Sequence, residues 1–103
     1  MRAKRSFPKV VAATASGTIR PVGREGDTLL MLVEAGPRGV RAYDFVGGPP
    51  FRLSAYVHDL RRMGLLIRTD MEPHAGGHHA VYVLETPVTV IAVIKGEGGL
   101  YAA

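Results

Sequence analysis

The chain has 103 residues, enough for one domain that buries a core without metal or disulfide support. It contains no cysteine, which excludes a disulfide framework, thiolate catalysis and any zinc site built on sulfur. The formal net charge of +4 is concentrated at the start, where Arg2, Lys4, Arg5, Lys9, Arg20 and Arg24 all precede the first acid, Glu25, so an anion site on the remaining chain must arise by local clustering.

Residues 1–24 read as a basic N-terminal arm, punctuated by Pro8, Gly17, Pro21 and Gly23, with a weak strand signal over Lys9 to Ala15. Arg2, Lys4, Arg5 and Lys9 are its candidate contacts to a polyanion. The apolar stretch Val10–Ala13 is shorter than the ~7–15 residues a signal peptide needs, and no run approaches the ~20 residues of a membrane span. A cytoplasmic protein is therefore expected.

Residues 25–95 carry the domain proper. Asp27 reads as the N-cap of a helix from Thr28 to Ala35, apolar through Leu29–Val33, with Gly36 and Pro37 ending it. Val40, Tyr43 and Val46 recur at a step of three, which suits a second, short helix, and Gly47–Pro50 is a turn. Phe51 to Met63 gives the clearest helix: Leu53, Val57 and Leu60 fall on one face, Arg61 and Arg62 complement the helix dipole in the last turn, and Gly64 stops it. Leu65–Met71 and Ala80–Thr86 read as strands of a hairpin around a loop, Pro73–His79, that holds His74, His78 and His79. Val88–Ile94, rich in β-branched residues, adds a third strand, and residues 96–103 form a glycine-rich tail.

The segment from Arg52 through Leu53, Val57, Leu60 and Arg61 to Gly64, followed by Leu65–Thr69 and by Tyr82 and Leu84, resembles a family of small bacterial and prophage winged helix-turn-helix domains. The matching pattern is a helix of the form R-L-x-x-x-I/V-x-x-L-R-x-x-G before a hairpin that returns with Y-x-L. It departs from the family at Gly39–Val40, where related domains often place a Ser or Thr cap. The resemblance implies an α+β fold: three helices, a β-hairpin wing, and here an extra C-terminal strand.

It also implies double-stranded DNA as partner, with the Phe51–Met63 helix in the major groove. On that helix Arg52, Ser54, His58, Arg61 and Arg62 face outward, and Ser54, His58 and Arg61 share one stripe at i, i+4 and i+7. Arginine grips guanine through O6 and N7, and serine and histidine donate to bases or phosphates. Arg68 offers a phosphate contact from the wing, and His74, His78 and His79 offer contacts at its tip. Asp59 is placed to pair with Arg62 at i+3. Adjacent histidines in a glycine loop are poorly preorganised for a metal, so no metal and no cofactor is expected.

The expected role is a small bacterial or phage transcriptional regulator, cytoplasmic and nucleoid-associated. No phosphate-binding loop and no nucleophile elbow appears, so an enzyme is not expected, and no small-molecule substrate or membrane partner is inferred. The alternative is a winged-helix protein-interaction module, with Val88–Ile94 pairing to a partner or to its own copy in a homodimer. RNA binding is the weakest reading, since no aromatic stripe on a strand makes a base-stacking platform.

Overall fold

A computed structural model of the chain describes residues 8–44, 52–74 and 76–95. The elements follow as β1 (Pro8–Thr14), β2 (Gly17–Ile19), α1 (Gly23–Ala35), α2 (Leu53–Arg62), β3 (Ile67–His74), β4 (Gly77–Leu84) and β5 (Thr89–Lys95), with single 3₁₀ turns at Gly36–Arg38 and Ala42–Asp44. The strands form two antiparallel sheets, β2-β1-β5 and β3-β4. The α+β winged-helix class expected from sequence holds, with two α-helices among the described residues where three were expected.

The basic arm is the largest correction. Residues 1–7, with Arg2, Lys4 and Arg5, lie outside the described residues, but from Pro8 onward the chain is a sheet and then a helix. β1 is the central strand, paired to β2 through Ala12↔Ile19 and to β5 from Pro8↔Lys95 to Ala13↔Thr89. Its alternation buries Val10 and Ala12 completely. The alanines that weaken strand propensity let β1 lie close to α1, so tertiary packing overrides the local preference. The β1–β2 register runs on past β2, because Lys9 bridges Val22 and the Val10 N–H donates to the Pro21 carbonyl at 2.9 Å.

That extended register brings the helix start forward. α1 begins at Gly23 directly after Val22, which is extended and makes no side-chain cap, so Asp27 sits inside the helix rather than capping it. Leu29, Leu32 and Ala35 are buried, while Leu30, Met31 and Val33 pack half-buried against the core. Thr28 is also buried and satisfies its hydroxyl by donating to the Arg24 carbonyl at 2.8 Å. Gly36, at φ 56°, ends the helix as expected.

Of the expected second helix over Val40–Val46, the described residues show the turn Ala42–Asp44, with Val40 drawn into the wing sheet instead. The Val40 N–H and C=O bond Tyr82 at 2.8 and 2.9 Å, giving β4 a neighbour on its second edge. The Asp44 carboxylate accepts the Arg41 N–H at 2.9 Å and closes the turn. Gly39, at φ 79°, makes this approach possible: a Cβ there would lie 2.5 Å from Val81 Cγ1. Val46, the Gly47–Pro50 turn and Phe51 lie outside the described residues.

α2 buries Leu53, Val57 and Leu60 in a core shared with Val10, Leu29, Leu32, Val40, Leu65 and Ile67. Each such side chain, fully buried, contributes roughly 1.5–3 kcal/mol of transfer free energy. The wing is longer than expected. Its ladder runs unbroken from Ile67↔Leu84 to His74↔Gly77, so the stretch read as a loop is mostly strand. β5 joins β1 and not the wing.

Candidate nucleic-acid interface

α2 presents one face to the core and the opposite face to solvent. Arg52, Ser54, His58, Arg61 and Arg62 are all exposed, as their helical spacing required. Among the described residues the side chains of Arg52, Ser54, His58 and Arg62 have no hydrogen-bond or ion-pair partner. The expected Asp59–Arg62 pair is not formed. Asp59 instead reaches across to α1, where its carboxyl is hydrogen-bonded to Glu25. That bond raises the Glu25 pKa, helped by partial burial and by the Asp59 charge.

Arg61 behaves differently from its neighbours. Its Nε and Nη2 donate to the Ile67 carbonyl at 3.1 and 2.6 Å, and Nη2 also donates to Thr69 Oγ1 at 2.8 Å. The side chain crosses from the last turn of α2 to the start of β3.

The wing residues depart further from expectation. Arg68 is held by acids: Nε and Nη2 donate to Asp70 at 2.9 and 3.0 Å, and Nη1 donates to Glu85 at 2.7 Å. Bonding to Asp70, then to Glu85, pushes its pKa further above the ordinary arginine value. Its charge, expected to face phosphate, is compensated within the wing. His79 lies in β4 rather than in a tip loop, with Nε2 2.8 Å from Glu72 Oε1. His78 is exposed in the same strand opposite Pro73, and His74 pairs with Gly77 at the end of β3. Lys9 is exposed in β1, between Val22 and Ile94. His78 and His79, consecutive in β4, therefore face opposite sides of the wing.

Sequence reasoning missed Arg41 and Glu72. Arg41 grips Glu72 through two parallel bonds, Nε to Oε1 at 2.7 Å and Nη2 to Oε2 at 2.9 Å. Hydrogen bonds from Arg41, then the contact with His79, lower the Glu72 pKa to about 2. The partners lie 31 residues apart, and no local pattern joins them. Around this part of the wing, Asp44, Asp70, Glu72 and Glu85 lie with Arg38, Arg41 and Arg68, and the last two are ion-paired. Arg41 and Arg68 are thus offset by carboxylates, whereas Arg52 and Arg62 are exposed without such partners among the described residues.

No helix of the described residues is long and apolar enough to cross a membrane. Comparison with curated proteins and with solved structures gives no match. A family model described as a winged helix domain matches residues 18–94, which take in α1, α2, the wing and most of β2 and β5. With the Val40 bridge, the α2 geometry and the hairpin that follows it, that match shows that the chain belongs to this winged helix domain family.

Proposed function

We propose that the domain binds double-stranded DNA as a small transcriptional regulator of bacterial or phage type, working in the cytoplasm at the nucleoid. α2 enters the major groove, as the second helix of such motifs does. Arg52, Ser54, His58 and Arg62 face the duplex. The observation that carries this reading is a contrast in pairing: the side chains of Arg52 and Arg62 have no protein partner among the described residues, whereas Arg41 and Arg68 are matched to carboxylates. Unmatched guanidinium groups on a helix of groove width suit base edges and phosphates. The reading is of a binding protein, not an enzyme.

The test is a salt-titrated gel shift on random-sequence duplex, then selection of preferred sites. Each phosphate contact steepens the log–log salt dependence by about 0.9. Arg62→Ala and Arg52→Ala should weaken binding and flatten that slope. Binding equal to the parent at every salt concentration in the double variant sinks the assignment of this face.

A second reading, a protein-interaction or homodimer module, draws on β5. Its outer edge has no strand partner among the described residues, and Ile91, Val93 and Ile94 are 59%, 38% and 50% exposed. Such an edge accepts a further strand. Light scattering with and without duplex separates the readings: a stable oligomer indifferent to DNA favours the second, and a DNA-binding dimer unites them.

A further inference from the structure

The Ile67 carbonyl that receives Arg61 belongs to an open sheet edge. The Tyr82 N–H and C=O are both taken by Val40, so the pair Thr69↔Tyr82 is of the non-hydrogen-bonded kind. Thr69 therefore turns its backbone polar groups away from β4, and by alternation Ile67, Met71 and Pro73 do the same. Pro73 fits this pattern, because its missing N–H would have pointed off the edge. The Ile67 carbonyl has no strand partner on that side, and Arg61 supplies one.

The guanidinium is planar and rigid, and it fastens to two points of β3: the Ile67 carbonyl and, two residues on, the Thr69 hydroxyl. Together with its own root on α2 this fixes direction as well as distance. Met63–Leu66 connects the two elements, and beside the core packing of Leu60 against Ile67 the Arg61 bridge adds a directed tie across that connection.

We infer that Arg61 is a positioning residue: it locks the last turn of α2 to the root of the wing and sets the angle at which Arg52, His58 and Arg62 meet the duplex. Its effect on affinity rests on the DNA-binding reading, but the joint itself does not. The sequence put Arg61 in the same stripe as Ser54 and His58, and the structure separates it from them.

Two measurements on the full chain test this, with Arg61→Ala, Arg61→Lys, Thr69→Val and Arg62→Ala. The first needs no DNA. Residual dipolar couplings report the orientation of α2 against β3 and β4. The expected result is a changed orientation in Arg61→Ala and Arg61→Lys, a smaller change in Thr69→Val and none in Arg62→Ala. Parent orientation in both Arg61 variants overturns the joint.

The second is duplex affinity across salt. Arg61→Ala and Arg61→Lys should both lose about 3- to 10-fold, the net worth of one or two hydrogen bonds, while keeping the parent slope. Arg62→Ala should lower the slope by about 0.9. If Arg61→Lys binds like the parent and Arg61→Ala flattens the slope by that amount, Arg61 is a phosphate contact and the inference fails. If the parent itself binds no duplex, the DNA-binding reading falls, and the orientation measurement alone decides the joint.

Discussion

Arg41 and Glu72 face each other across the wing, guanidinium to carboxylate, with Nε–Oε1 at 2.7 Å and Nη2–Oε2 at 2.9 Å. The pair fastens the segment after α1 to β3, and His79 of β4 closes on the same carboxylate.

This arrangement predicts an acid limb in stability. The Glu72 pKa is lowered to about 2 from an ordinary 4.5. The folded state binds that proton less readily than the unfolded chain does. The contribution is therefore complete above pH 4.5 and disappears as the pH falls towards 2. Glu72→Gln should remove this part of the acid sensitivity. Melting temperatures taken down to pH 2 check it, and parallel curves for parent and variant in that window would show the pair to be inert.

Glu25 carries the opposite sign. Its raised pKa means the folded state favours the protonated form beside Asp59. Its contribution is full below the unfolded pKa and is lost as the pH rises through the folded one. Glu25→Gln keeps a side-chain donor for Asp59 without adding a second negative charge. Its melting temperature should exceed the parent's at neutral pH and converge with it in acid. A variant less stable than the parent at neutral pH contradicts this.

Gly39→Ala tests the close approach of the chain to β4. The new Cβ would meet Val81 Cγ1 at 2.5 Å and the Tyr82 carbonyl at 3.1 Å, from a backbone at φ 79°. Overpacking combined with left-handed strain should cost about 2–4 kcal/mol. Urea unfolding reads it, and a loss under about 0.5 kcal/mol, the range of a neutral surface change, would show that the contact relaxes freely.

Two neighbouring leucines separate core from surface. Leu60 is fully buried and Leu66 is 68% exposed. Leu60→Ala should lose about 2–5 kcal/mol through transfer and cavity terms. Leu66→Ala should stay within about 0.5 kcal/mol. Equal losses in chemical denaturation would contradict this division.

What the sequence disclosed follows from how local each determinant is. Leu53, Val57 and Leu60 announce α2 because a helix repeats within a few residues, and all three are buried. Gly36 and Gly64 mark helix ends by the same logic, both at positive φ. β1 gave only a weak signal, over Lys9 to Ala15, because Val10 and Ala12 are held by α1 and by β5, whose sequence lies at the far end of the chain. The place of Val40 has the same origin, as it answers to Tyr82 and not to its own neighbours. For the candidate site, residue types and outward direction on α2 could be read. The pairing state of each arginine could not, because Ile67, Glu85 and Glu72 become partners only once the wing is built.

The β1–β5 ladder has a mechanical consequence. Pro8 and Lys95 are register partners, so both ends of the described chain leave from the same end of the same ladder. Tension applied between those ends loads the strand bonds one at a time, like teeth of a zipper, rather than shearing all of them together. The seam should therefore peel at low force, with the helices and wing still intact behind it.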